Sequence, residues 1–400
     1  MKTRFRHRLV LFVLRPFFKI FFKLKYNAKL KLYKAKDEAK PPFLVFGNHA
    51  MAIDPILMSC SFRHPIHYVA SDMIFSIKYW SFFIKFLAAP IPKTKYRSDL
   101  ATIRDIKSIV KNGGSIGVFP EGNSTFSGRT MSIPKSTAKL VKLLKIPVLF
   151  YRFEGTYLSK PRWARYSRKG KLKGYVKEVW PYEAYKDLST DEIYDYIINR
   201  LFVDQIKNQE QSDVSYRGKR IAEDLESTYF YCPNCQRYNT LFSSDDEVKC
   251  QACDLHLRFT EKGFFEPLQE KINYFSKTTD WLDAQIKSLK NHIKQLKPDD
   301  SKPLFENDGE RIYENIPNRQ KKFLGQAKLS LYQTHITLTF AEKEIVTWPL
   351  KELNVAVQQK NKLIIHNHRQ NVTYYALADP KRNALKYALV VQYLTKTEVS

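Results

Sequence analysis

The sequence has no long apolar run. Its opening apolar stretch, Leu9–Leu14, is six residues and stops at Arg15-Pro16, whereas a membrane-spanning helix needs about 20. The longer apolar region and small-residue cleavage site of a secretory signal are also missing. No other stretch could span a bilayer. Cysteine is scarce, with five in 400 residues. Without a secretory signal those thiols belong in a reducing compartment, which excludes a disulfide framework. Internal repeats and low-complexity tracts are absent. Acidic residues are scarce in the first half only. Residues 1–203 hold 38 Lys+Arg and 14 Asp+Glu, a net +24, while residues 204–400 hold 29 and 26, a net +3. A basic half calls for an anionic partner, whether nucleic acid, membrane or phosphate-bearing substrate. With 44% hydrophobic and 14% aromatic residues, a wholly disordered chain is excluded.

What is present begins with a leader. Residues 1–40 carry a net +11. Arg8, Arg15, Lys19 and Lys23 recur at helical intervals, with Phe17, Phe18, Ile20, Phe21 and Phe22 spread over the rest of the helix. This composition suits a bilayer interface, aromatics at the acyl boundary and cations at anionic headgroups. A packed helix with a solvated basic face has the same pattern. Pro16 is expected to divide the segment into two helices.

Residues 41–211 alternate as an α/β domain does. Strands are expected at Phe43–Phe46, His67–Ala70, Ser115–Phe119 and Pro147–Phe153. Helices are expected at Asp54–Cys60, Ser76–Leu87, Leu100–Val110 and Lys135–Leu144, with a helix and polar linker over residues 188–211. Next, Cys232-Pro-Asn-Cys235 and Cys250-Gln-Ala-Cys253 lie 14 residues apart. That spacing can bring four thiolates around one tetrahedral Zn2+; two redox pairs are the competing reading. Residues 212–270 thus read as a linker helix and zinc-ribbon-like module, and 271–300 as a helix with Leu282, Ile286, Leu289, Ile293 and Leu296 on one stripe. Residues 301–400 read as a β-rich domain closed by a helix at Pro380–Leu394, the pattern of a pleckstrin-homology-like small barrel. Its strands are expected within Lys328–Phe340, Ile345–Trp348, Leu353–Val357, Lys362–His366 and Val372–Ala376.

Two short segments carry chemistry. After the first strand comes Asn48-His49-Ala50-Met51-Ala52-Ile53-Asp54. A His and an Asp at this spacing on a strand-to-helix turn can face each other, the carboxylate holding one imidazole nitrogen and leaving the other to take a proton. With no protein nucleophile in the segment, the nucleophile would be a substrate hydroxyl. Alone, the pair reads equally as a helix N-cap at Asp54 with His49 on the turn. Downstream, Phe119-Pro120-Glu121-Gly122-Asn123-Ser124-Thr125 forms a polar turn whose N–H and hydroxyl groups can hold phosphate or a polar headgroup. Between them, Pro90–Ser98 supplies Lys93, Lys95 and Arg97. Ile146-Pro147-Val148 opens the last apolar strand.

In order, these four blocks resemble the glycerolipid acyltransferase family of the lysophosphatidic acid acyltransferase type, over about residues 40–200. The resemblance implies an α/β fold. It implies that His49 deprotonates an acceptor hydroxyl while Asp54 holds its tautomer, and that the hydroxyl attacks the thioester of acyl-CoA or an acyl carrier protein. It implies that Arg97 with Lys93 meets the acceptor's phosphate, and that Asn48, Glu121, Gly122, Asn123, Ser124 and Thr125 line the acceptor site. No catalytic metal or organic cofactor is expected. One departure stands out: the family's Thr-Arg-Ser after Phe-Pro-Glu-Gly is Asn123-Ser124-Thr125 here, and Arg129 is a nearby cation that could replace the missing one. The expected acceptor is therefore a lysophospholipid or related glycerolipid. The expected location is peripheral, on the cytoplasmic side of the cell membrane. The rival reading, a basic zinc-ribbon protein binding nucleic acid or a protein partner, explains the total charge and the paired cysteine knuckles but not the placement of the charge. The knuckle spacer carries Asp245, Asp246 and Glu247 against Arg237 and Lys249, so nucleic acid is not expected as a partner.

Overall fold

A computed structural model describes residues 2–34, 39–71, 90–93, 100–297, 299, 301–316, 320–341, 344–358, 362–378 and 382–395. The chain divides into two compact units, one of residues 1–161 with 167–218 and one of 162–166 with 219–399.

The first unit is built on a seven-stranded sheet. Its elements are α1 (Lys2–Tyr26), β1 (Lys29–Leu30), β2 (Leu44–Gly47), α2 (Asp54–Ser59), β3 (Ile66–Ser71), β4 (Ile91–Lys93), α3 (Leu100–Lys111) and β5 (Ser115–Val118). Then follow α4 (Ser136–Leu144), β6 (Val148–Glu154), α5 (Thr156–Ser159), β7 (Lys173–Trp180), α6 (Thr190–Leu201) and α7 (Gln205–Glu210). The strand order is β1-β7-β6-β2-β5-β3-β4. All neighbours are parallel except the β6–β7 pair. The central strands β2 and β5 are buried on both faces, which is why they read as continuous apolar runs. One face packs on α1 and α2 through Phe22, Tyr26, Leu57 and Met58; the other packs on α4 and α6 through Val141, Ile193 and Ile197.

Most expected elements are present. The helix expected at Ser76–Leu87 lies outside the described residues. Strand β7 has no counterpart in the sequence reading. Its residues alternate Lys, Gly, Tyr, Val and Lys, because one face of this sheet edge is uncovered. Pro16 does not divide the leader: α1 runs unbroken through it. Phe12 and Pro16 lie on the exposed side, where water can take the carbonyl that the ring leaves unbonded. The helix is also not a separate leader. Phe22 and Tyr26 are buried in the core, contributing about 1.5–3 kcal/mol each. Phe12, Val13, Phe17, Ile20 and Leu24 are 60–72% exposed and form an outward apolar stripe. Arg15 and Lys19 turn toward the protein. Arg15 donates to the Phe62 carbonyl at 3.3 Å, and burial, with Arg15 adding to it, lowers the Lys19 ammonium. Among the described residues no helix is long and apolar enough to cross a membrane.

The second unit opens with an antiparallel four-stranded sheet, β8 (Leu241–Ser244), β9 (Glu247–Cys250), β10 (His256–Phe259) and β11 (Phe265–Pro267). Helix α8 (Thr278–Gln295) packs on this module. Its buried stripe is Trp281, Gln285, Leu289 and Ile293; Leu289 and Ile293 are as expected, while Trp281 and Gln285 take the buried places expected for Leu282 and Ile286, which are half-buried. The cause is Gln285, polar yet buried, which accepts from Phe230 N–H at 3.1 Å and donates to the Thr228 carbonyl at 3.0 Å. Then come β12 (Phe305–Ile316), β13 (Gln320–Leu331), β14 (His335–Phe340), β15 (Ile345–Pro349), β16 (Leu353–Gln358), β17 (Lys362–Asn367), β18 (Val372–Leu377) and α9 (Leu385–Thr395). They form a second seven-stranded sheet, fully antiparallel, ordered β15-β14-β13-β12-β18-β17-β16. Four sequential strands, three more and a closing helix is the expected β-rich arrangement. The long run at Lys328–Phe340 is two strands, turning at Tyr332–Thr334. A buried polar network ties the two parts of this unit. Arg382 pairs with Glu310 at 3.0 Å, both essentially inaccessible, Lys386 donates to Asn239 at 2.8 Å, and Asn383 donates to the Glu226 carbonyl at 3.0 Å.

Candidate active site

The site forms where β2 ends. At Gly47 an added Cβ would stand 2.5 Å from Met58 Cε and 3.0 Å from Phe119, so a larger residue there would have to push the Met58 tip and the Phe119 ring aside. Asn48 then clamps two strands: its amide donates to the Phe153 carbonyl at 3.2 Å and accepts from Phe153 N–H at 2.8 Å. It is 4% exposed, so it positions the turn from behind.

His49 and Asp54 face each other as expected, with Nδ1 and Oδ2 2.9 Å apart. Asp54 is fully buried, and the His49 side chain keeps 17% exposure. The same Oδ2 accepts from Ala50 N–H at 2.8 Å and Met51 N–H at 2.9 Å. These donors belong to the turn before the helix. Asp54 therefore does not cap α2; it fastens the preceding loop and the imidazole to one oxygen. Phe119 lies against the imidazole, ring centroids 4.7 Å apart, and shields it on one side. With Nδ1 bonded to Asp54, Nε2 is the nitrogen left to exchange a proton.

The Phe119–Thr125 segment holds His49 by its backbone. Glu121 Oε1 accepts from His49 N–H at 2.8 Å, and Oε2 accepts from Met131 N–H at 2.8 Å. Thr125 N–H donates to the His49 carbonyl at 3.0 Å. Burial pushes the Glu121 carboxyl up to about 8, opposed by the two backbone donors from Met131 and His49 and assisted by the Asp54 charge. Gly122 turns the chain at φ +69° with open space around it, so the backbone conformation selects glycine there. Asn123 and Thr125 are buried and Ser124 is partly exposed. Thr125 donates to the Arg129 carbonyl. Lys93 ends β4; Arg97 lies outside the described residues. Arg129 is tied to Asp204, Nε to Oδ2 at 3.4 Å. The structure thus brings Asn48, His49, Asp54, Glu121 and Thr125 together. It adds Phe119, which the sequence offered only as a motif letter, and Met131 and Phe153, for which the sequence held no signal.

The four cysteines of the second unit also converge. Cys232 and Cys253 sulfurs are 3.6 Å apart, Cys235 and Cys250 sulfurs 3.8 Å, and all four lie within 4.8 Å of one another. A tetrahedral ion with bonds of about 2.3 Å would set its sulfurs about 3.8 Å apart, so the donor set fits one metal ion. Ala252 N–H donates to Cys250 Sγ at 3.3 Å and Asn234 to Cys253 Sγ at 3.5 Å.

Residues 27–150 match the family model described as Acyltransferase, and the chain resembles the glycerolipid acyltransferase family. A search of curated protein sequences returned no match. Among solved structures it is similar to the 1-acyl-sn-glycerophosphate (LPA) acyltransferase PlsC from Thermotoga maritima, at 20% identity over 51% of this chain and 80% of that one, TM-score 0.41. Inner Membrane Complex Sub-compartment Protein 3 from Toxoplasma gondii shares 10% identity over 28% of this chain and 84% of that one, TM-score 0.18. The linker-DH/PH domains of p115-RhoGEF share 11% identity over 31% and 44%, TM-score 0.17. At such scores the site is read from its own geometry.

Proposed function

We propose that this protein is a membrane-surface O-acyltransferase that moves a fatty acyl group from an acyl thioester to the hydroxyl of a lysophospholipid or related glycerolipid. The observation that carries the reading is the imidazole of His49, fastened at Nδ1 by a buried carboxylate and left with Nε2 for substrate. Nε2 takes the acceptor's hydroxyl proton as the oxygen attacks the thioester carbonyl. The tetrahedral intermediate collapses with loss of the thiolate, and the imidazolium returns the proton to that sulfur. Asp54 stabilises the imidazolium in between. Glu121, Asn48 and Thr125 hold the turn; in this reading Gly122, Asn123 and Ser124 would contact the acceptor headgroup, with Arg97 and Lys93 as its phosphate partners. The exposed apolar stripe of α1 supports attachment to a bilayer surface. In the second unit Cys232, Cys235, Cys250 and Cys253 would hold Zn2+, which supplies a cross-link to a module with a small core.

The test is release of free thiol from a long-chain acyl donor on addition of lysoglycerolipid. His49→Ala should abolish it with the melting temperature preserved; a folded variant that still turns over would overturn the assignment.

A further inference from the structure

Strand alternation leaves one face of the first sheet uncovered at its β1 end, and that face is cationic. Leu30, Val176 and Tyr151 point into the core shared with α1. Their neighbours point the other way. Register pairs Lys29 with Lys173 and Lys173 with Glu154, then Tyr175 with Arg152. Lys31 continues the ladder, its N–H on the Gly174 carbonyl at 2.8 Å, and Lys177 sits at the bulge opposite Phe150 and Tyr151. Arg200 reaches in from α6, 2.7 Å from Glu178, and Arg152 donates to the Arg200 carbonyl at 3.0 Å. Six cations thus share the face with two carboxylates, Glu154 and Glu178. Lys29, Lys31 and Lys177 are exposed. Partial burial, then the charges of Arg152 and Arg200, lower the Lys177 ammonium. An anion placed there would relieve this crowding.

Lysine on a short edge strand is a common guard against edge-to-edge association. That role ends at the edge, whereas this charge runs inward over β7 and β6 to α6. It covers about 13 Å along β7 and about 10 Å across the strands, flat and spread out, unlike a cradle for one phosphate. The bilayer is an unsuitable occupant. The apolar stripe that would enter it belongs to α1, packed on the opposite face of the same sheet, so this face points away. Lys173 and Glu154 lie at the sheet end where β2 delivers His49.

We propose that this cationic face docks a soluble acidic protein, namely an acyl carrier protein presenting the acyl thioester to the site. The proposal rests on the acyltransferase reading and chooses between its two donors. The experiment uses the full-length chain and one lysophospholipid, with the same acyl group on an acidic acyl carrier protein or on CoA. The triple variant Lys29→Glu, Lys31→Glu, Lys177→Glu keeps the edge charged while reversing its sign. Its kcat/KM for carrier relative to CoA is expected to fall at least about tenfold, and the wild-type carrier reaction to weaken as salt rises from about 50 to about 300 mM. An unchanged ratio overturns the proposal, as does a wild type that accepts only acyl-CoA. A variant that instead loses binding to phosphatidylglycerol vesicles at constant ratio makes the face a membrane contact and also overturns it. If neither donor turns over, the acyltransferase reading fails. Anisotropy of labelled carrier then tests docking alone, and equal binding by wild type and variant refutes it.

Discussion

Replacing Asp54 by Asn separates two things the carboxylate does. An asparagine amide at this position can place either its oxygen or its nitrogen where Oδ2 now sits. With nitrogen there, two backbone N–H groups, from Ala50 and Met51, would face a donor. The oxygen therefore stays at the Oδ2 position, the Nδ1–H tautomer of His49 survives, and the NH2 group falls on the Oδ1 side. Oδ1 is buried and makes no hydrogen bond, so the new donor is left unpaired at a cost of about 1–3 kcal/mol in stability. The variant also loses the negative charge beside the imidazolium. At about 4 Å and an effective dielectric of about 20 that attraction is worth about 4 kcal/mol, with part returned by the amide dipole. The expected result is a fall in kcat/KM of about 10²–10³ in the thiol-release assay, smaller than the roughly 10⁴ that a wrong tautomer costs in serine proteases. Denaturant unfolding should show the stability loss. Activity within about threefold of wild type would refute the role of Asp54 and, with it, of His49 as the base.

Glu121 makes a pH prediction. Its folded value of about 8 lies above its ordinary value near 4.5. The folded protein therefore keeps a proton that the unfolded chain releases, and this group's contribution makes stability fall as pH rises through that window and level off above it. Thermal melts from about pH 5 to about pH 8.5 should show a steeper decline for wild type than for Glu121→Gln, and equal slopes would contradict the burial argument. Freshly purified protein should contain one zinc per chain, and Cys250→Ser should lose the metal and lower the melting temperature of the second unit; metal analysis that finds none would remove the four-thiolate site. Phe17→Glu with Ile20→Glu should cut partitioning onto anionic vesicles by about 3 kcal/mol or more, read by sedimentation, and unchanged binding would release α1 from the membrane argument.

The parts of this protein legible in its sequence are those written within a few residues. His49 and Asp54 are five apart, the cysteine pairs are three apart, and the buried strands β2, β5 and β6 declare themselves as apolar runs. What could not be read depends on distant partners. Strand β7 gives no apolar run, because one face of the sheet edge it forms is uncovered. Gln285 is outside the stripe that periodicity picks out, and its burial depends on Phe230 and Thr228, more than fifty residues earlier. Arg129 reads as a free replacement cation, but Asp204, 75 residues on, engages it. Glu121 reads as an acceptor contact from its motif, while the structure sets its carboxylate against two backbone donors.

The clamp made by Asn48 also has a bearing on how the site comes into being. Its partner, Phe153, follows 105 residues later, and the Glu121 that steadies His49 follows 72 later. The turn is synthesised early, with Asp54 and then Glu121 to hold it, but the clamp from behind is missing until strand β6 has been made and docked beside β2. Loops this long close slowly and late. An emerging chain on the ribosome would therefore carry the His49–Asp54 turn for some time without the strand that Asn48 clamps. The full geometry of the turn is reached only once β6 has joined the sheet.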